Sequence, residues 1–278
     1  VKQLLRHSAE LLLFSNSWVA LTVGILVTGV AHYYHLEQHW IYGAFALFGT
    51  FTTYNFHRLV RNKTFQQTAI TTPRSRWLDT HKSVIIAACI CTTIAATSLF
   101  FFLPLPFSSL FLLAGTGFIV LFYAIRIPFI EKSLREFSGL KNTWIVVVWA
   151  VLVAFPVINE KHTIHWIDLA TIALLVYIQI IPFDIRDLNY DLPQMRTIPQ
   201  LVGITAARLF GTLLICIFLL FLLFQHGFHW LVLLVALTSL LGLWWKQRPS
   251  NLHYLEILWE GAIMLLGIYF YFLPWLDS

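Results

Sequence analysis

PFDIRDLNYDLPQ, residues 182–194, ends a long apolar run with three carboxylates: Asp184, Asp187 and Asp191. The rest of the chain avoids charge, with 13 Asp and Glu among 278 residues. On a helix these positions fall at about 0°, 300° and 340°, so one face carries all three over roughly 10 Å. Arg186 falls near ~200°, on the other side, poorly placed to neutralise them. Carboxylates gathered at a membrane boundary repel one another and are costly to desolvate. Water, basic side chains from other segments or a divalent cation can relieve them. Oxygen-only ligands favour Mg²⁺ or Ca²⁺ over zinc, and Mg²⁺ held by one or two carboxylates completes its shell with water and substrate phosphates. The plainer account is a solvated helix end, which is weakened because Asp near a helix C-terminus opposes the dipole.

The surroundings of that stretch set the fold class. The chain is 59% hydrophobic and 11% charged, whereas a soluble domain has about a quarter of its residues charged. Apolar runs of about 18 residues or more recur throughout, the signature of membrane helices. The expectation is an all-α integral membrane protein, one polytopic domain over residues 1–278, with helices near 12–32, 40–61, 84–103, 107–127, 142–158, 166–191, 199–225, 229–246 and 255–275. These nine would form a bundle around a central cavity. The three Cys lie in apolar segments with a spacing that suits neither zinc nor a disulfide framework.

Charge is distributed by connection. Seventeen of the eighteen Lys and Arg fall in the N-terminal tail and in every second connection, and Lys161 alone falls on the other side. In a membrane protein this asymmetry sets orientation rather than nucleic-acid affinity: basic loops and N-terminus cytoplasmic, C-terminus outside. A cell inner membrane is the expected location. Seven of the eleven His gather on the opposite side, where an interfacial position is a simpler account than metal binding.

The aspartate stretch resembles the second aspartate-rich motif, DxxDxxxD, of the UbiA superfamily of intramembrane prenyltransferases. MRTIPQLVG (195–203) is similar to the family's stretch just after that motif, and LREFSGLKNTW (134–144) to the segment entering its fifth helix, with Lys141 at a commonly basic position. The resemblance covers essentially the whole chain. It implies a helical bundle whose cavity opens sideways to lipid, and Mg²⁺-dependent transfer of a prenyl group from its diphosphate to a lipophilic acceptor. Asp184, Asp187 and Asp191 would be the catalytic, metal-holding residues.

The first motif of that family, NxxxDxxxD, is altered. The matching stretch is YNFHRLVRNK, residues 54–63, in which Asn55 fits and Leu59 and Lys63 replace the two aspartates. Arginine's fork suits phosphate oxygens, so cations can replace the metal that motif would hold. The expected diphosphate-binding set is Asn55, Arg58, Lys63, Tyr123, Arg126, Lys141 and Arg196. A non-catalytic relative that binds an isoprenoid or a partner is the alternative. A transporter is disfavoured, because no inverted repeat is visible.

Overall fold

The computed structural model describes residues 2–65, 73–188, 191, 195–247 and 252–276; within these, the side chains of 2–7, 61–65, 252 and 253 are outside the description. The described residues form helices α1 (Lys2–Phe14), α2 (Ser17–Tyr33), α3 (His39–Phe65), α4 (Pro73–Thr80), α5 (Lys82–Leu99), α6 (Phe107–Ala124), α7 (Lys141–Asn159), α8 (Trp166–Arg186), α9 (Ile198–His226), α10 (Trp230–Trp244) and α11 (Leu252–Leu276). Among the described residues six helices are long and apolar enough to cross a membrane, and α1 with α2 would make a seventh if that bent pair is one span. The chain is therefore an all-helical, multi-pass membrane protein in composition and length.

Two helices were not anticipated. The apolar run starting near residue 12 is broken at Asn16, which adopts a left-handed conformation (φ 58°) and turns α1 away from α2 by 68°. Asn tolerates that conformation better than other non-glycine residues. Helix α4 is short and polar, so hydrophobic periodicity does not reveal it. The predicted sixth helix is also too long: α8 ends at Arg186, and Asp187 is its C-cap.

Helix α2 is the axis of the bundle. It lies against α11 and α3. Gly29 and Gly267 meet so closely that a Cβ added to Gly29 would lie 1.9 Å from the Gly267 carbonyl oxygen. Between helices in lipid, small residues that let backbones approach are a main source of packing energy. Helices α5 and α6 are peripheral, with 11% and 6% of their apolar windows buried inside the protein. Their exposed Ile and Phe side chains, such as Ile94, Phe111 and Phe118, suit a lipid-facing surface.

Polar clusters pin the bundle at both ends. At one end Asp168 is fully buried and accepts from the Tyr34 hydroxyl at 2.7 Å and from Gln225, with His226 Nε2 at 3.6 Å. Nearby, Tyr42 donates to Glu160 at 2.7 Å and accepts from Asn159 at 2.6 Å. Several of the histidines anticipated on this side are engaged with aromatic rings or a carboxylate: His32 stacks on Tyr271 and packs edge-on to His39, and His226 lies beside Asp168.

Gly29→Ala should destabilise the protein by about 1–3 kcal/mol, because the new methyl forces α2 and α11 apart. Gly49→Ala, whose Cβ meets nothing within 4 Å, should be neutral or mildly stabilising. Thermal unfolding of the two variants in one detergent measures the difference.

Candidate functional site

At the other end of the bundle the beginnings of α2, α7 and α11 meet the ends of α3, α6 and α8. The geometry starts from Asn16. Its side chain is 1% exposed and works as a hub. Asn16 Nδ2 donates to Asn55 Oδ1 at 2.9 Å, and its Oδ1 accepts from Arg58 Nε at 3.2 Å and Arg74 at 2.6 Å. Asn55 in turn donates to the Ser15 and Phe51 carbonyls at 2.9 Å each. Buried amide groups of this kind are stable only when their hydrogen bonds are made. Asn55 therefore fixes the α1–α2 bend, and Asn16, which it anchors, holds Arg58 and Arg74 on one acceptor.

Two connections bring the next charges in. A short 3₁₀ turn, Leu134–Glu136, is fixed by a capping box between Ser133 and Glu136. The backbone N–H of Gly139 donates to the Met195 carbonyl at 2.9 Å, tying this connection to the one after α8. A second capping box, Thr197 with Gln200, starts α9, and Gln200 reaches back to the Asp191 carbonyl at 3.4 Å. These local restraints place Arg135 and Lys141 beside the aspartates.

Lys141 Nζ lies between two carboxylates, 2.8 Å from Asp184 and 2.5 Å from Asp191. Asn142 donates to the other Asp184 oxygen at 2.7 Å, and Arg135 pairs with Asp191 at 2.7 Å. Asp187 is held bidentately by Arg186 at 2.7 and 3.0 Å. Arg186 also pairs with Glu256, which lies 4.0 Å from Arg74. The expectation that Arg186 stands away from the aspartates is thus corrected. Because α8 stops at Arg186, Asp187 leaves the helical path and its carboxylate meets the preceding guanidinium.

These residues surround a cavity of about 190 Å³. Its charged wall consists of Arg58, Arg74, Arg135, Lys141 and Arg186 with Asp184, Asp187 and Glu260. Its apolar wall includes Val19, Ile145, Trp149, Val176, Ile180 and Ile263. Five cations against three carboxylates line the space, while Asp191 and Glu256 back them from behind. Burial pulls Arg74 below its ordinary pKa, against the opposing pull of Glu256. At Arg135 burial acts the same way, but Tyr123 and Asp191 outweigh it and the net direction is upward.

The structure gathers Arg58, Tyr123, Lys141, Asp184 and Asp187 on one cavity. Asn55 and Asp191 stand behind the wall and hold residues that line it. Arg126 and Arg196 do not join. Helix α6 ends at Ala124, and Arg126 projects outward with its side chain 68% exposed, 3.9 Å from Glu136. Arg196 is exposed at a left-handed backbone position (φ 48°) just before the α9 cap. The Lys63 side chain lies outside the described residues.

The carboxylate trio does not fit Mg²⁺ as arranged. Each aspartate already has a cationic partner, and the Lys141 ammonium occupies the point between Asp184 and Asp191. Among the described residues no three His, Cys, Asp or Glu converge as a metal would require.

Sequence reasoning missed Asn16, Arg74, Arg135, Glu256 and Glu260 as parts of this site. Glu256 and Glu260 carried a usable signal, two acids at i and i+4 inside an apolar helix. Asn16 carried a fainter one, a Ser-Asn-Ser interruption of an apolar run.

Lys141→Met should lower stability by about 3–5 kcal/mol, since it leaves two buried carboxylates without their shared cation. Adding Asp184→Asn to that variant should recover part of the loss. Unfolding midpoints of the single and double variants provide the check.

No family model, no curated protein and no solved structure matches this chain.

Proposed function

We propose that this protein binds a prenyl diphosphate inside the membrane and transfers its prenyl group to a hydrophobic acceptor, as its resemblance to UbiA-type prenyltransferases implies. One observation supports the reading: a single cavity is lined both by five cations and by apolar side chains. That is the polarity of an amphiphile with an anionic head and a hydrocarbon tail. Arg58, Arg74, Arg135, Lys141 and Arg186 take the diphosphate oxygens, and the tail runs along the apolar wall towards lipid. As the C–O bond ionises, guanidinium and ammonium groups stabilise the charge that gathers on the leaving diphosphate. With the carboxylates engaged by cations, no step is routed through Mg²⁺.

A non-catalytic isoprenoid-binding role is the second reading. The altered first motif favours it, since Leu59 and Lys63 stand where two carboxylates would be. Binding alone does not separate the readings; transfer of a radiolabelled prenyl group to membrane-extracted acceptors does.

The topology that accompanies this function has nine crossings, with α3 and α10 counted as spans and α1 and α4 lying at the membrane surface. Helix α10 has 15 residues, about 22 Å of rise against a hydrocarbon core of roughly 30 Å, so its ends draw the interface inward. The charged cavity then opens near the cytoplasmic face, as the positive-inside rule requires. A periplasm-dependent reporter fused after Ser278 should be active, and a cytoplasm-dependent one silent.

Calorimetric titration of the purified protein with geranylgeranyl diphosphate should give the same affinity in EDTA as in Mg²⁺. Arg58→Ala should weaken binding by about 1.5–3 kcal/mol, the scale of a charge-assisted hydrogen bond. Asp187→Asn, which releases Arg186 from its carboxylate, should leave binding intact or tighter. Loss of binding in Asp187→Asn together with a requirement for Mg²⁺ would show instead that the aspartates act through a metal.

A further inference from the structure

Arg208 lies inside the apolar helix α9 and does not line the charged cavity. Among the described residues no hydrogen bond or ion pair holds its guanidinium, and its Nε is covered by protein without an acceptor. It lies over the Trp244 ring of α10, with 5.9 Å from Cζ to the ring centroid. A charged side chain within a membrane-spanning segment is costly, and one without a counter-charge calls for a ligand or a function.

Local structure holds that guanidinium in place. Thr212, one turn on, donates to the Arg208 carbonyl at 3.0 Å and accepts from Trp244 Nε1 at 2.8 Å. Gly211 lets the two helices close, since a Cβ there would lie 2.8 Å from Leu243 Cδ2. The indole is therefore a fixed platform, and a guanidinium is attracted to such a face. Trp244 ends α10 and Trp245 follows it, both exposed, and Trp gathers at the membrane–water interface. The guanidinium thus stands at headgroup depth, while the exposed Leu209, Leu213 and Leu241 on the same two helices offer surface to hydrocarbon. The helix does not relieve the charge. Gly203 (φ 82°, ψ 166°) separates two helical runs of α9, and a cation soon after a helix start opposes the macrodipole.

We propose that Arg208, on its Trp244 platform, binds the phosphodiester headgroup of an acidic phospholipid at the seam between α9 and α10. An anion supplies the counter-charge that the protein withholds, and the guanidinium fork matches two phosphate oxygens. One cation suits the single charge of a phosphodiester. The exposed apolar side chains of the seam select a lipid over a soluble anion, because they give its hydrocarbon chains a surface to pack against.

Lys246, exposed just beyond Trp245, adds positive potential that favours an acidic headgroup over a zwitterionic one. The site is separate from the charged cavity and does not depend on the reaction assigned to it.

The first test leaves the chain unaltered. The purified protein is reconstituted in vesicles of phosphatidylcholine alone, or of phosphatidylcholine mixed with phosphatidylglycerol. Both are treated with phenylglyoxal, which modifies arginine, then digested and read by mass spectrometry. Arg196, exposed just before the α9 cap, is the internal comparison. The expected result is an adduct on Arg208 in phosphatidylcholine that falls at least about tenfold with phosphatidylglycerol, the scale of one charge-assisted hydrogen bond, while Arg196 labels alike in both. Equal labelling of Arg208 in the two vesicles, no labelling in either, or the same protection at Arg196 would overturn the proposal. Inorganic phosphate that protects Arg208 in phosphatidylcholine as well as phosphatidylglycerol does would overturn it too, by making the site one for a soluble anion. Native mass spectrometry of the detergent-solubilised protein gives a second readout. Bound phosphatidylglycerol should fall by about tenfold in Arg208→Gln and stay unchanged in Arg196→Gln; an Arg208→Gln variant that holds the lipid as the wild type does sinks the assignment.

Discussion

The Lys141 ammonium between Asp184 and Asp191 is the interaction on which the site depends. Two carboxylates this close repel each other, and in a low-dielectric setting that repulsion is weakly screened. One cation shared between them removes the conflict and, at the same time, joins three chain segments. Asp184 belongs to α8, Asp191 to the connection after it, and Lys141 is the first residue of α7. Arg135 closes the ring from the preceding connection. Buried ion pairs are poor sources of net stability compared with apolar packing, because desolvation offsets most of the attraction. Their presence here in number is better explained by what they place around the cavity than by what they add to folding.

Stability comes from elsewhere. Helix α2 is buried along much of its length, and its glycine contact with α11 brings two backbones together where a methyl group would not fit. The buried Asp168 cluster ties α8 and α9 to the start of the connection after α2 at the far end. With the far end pinned and the axis close-packed, the charged end is where side chains can be committed to binding. The peripheral placement of α5 and α6 fits the same division, since they add lipid-facing surface and little core.

Much of this was legible in the sequence, for physical reasons that also mark the limits. Membrane helices announce themselves because lipid demands long apolar runs with internally satisfied backbones, and the boundaries anticipated for α7 and α9 fall within a residue or so of those observed. The aspartate stretch pointed to the end of the bundle that holds the charged cavity, because charge in an apolar helix is costly. What stayed hidden depended on tertiary partners. The helical wheel put Arg186 opposite the aspartates, and only the early end of α8 turned Asp187 towards it. Arg74 read as one basic residue among several in a loop, until Asn16 bent the chain beneath it. Arg126 and Arg196 fitted a pattern of basic loops, and spacing alone cannot tell a cation that turns inward from one that faces water.

The internal charge pairing also constrains how an anion can enter. Arg74, Arg135, Lys141 and Arg186 are each already engaged by a carboxylate, so a diphosphate would gain only the difference between its own contacts and those it loosens. Such a site discriminates by charge and geometry more than it binds tightly, because a weakly charged head cannot displace a carboxylate while a diphosphate, with several oxygens, can bridge guanidinium groups at once. Arg58 and Arg74 share a neutral acceptor, Asn16 Oδ1, and the Arg74–Glu256 pair is a long one at 4.0 Å, so an anion would meet these two first. Lys141, Arg135 and Arg186 would yield later, and the carboxylates they release would then repel the leaving diphosphate. On the proposed reading, the three aspartates of residues 184–191 would have a role without any metal: they hold the cations in place while the cavity is empty, and they would help to expel a diphosphate product.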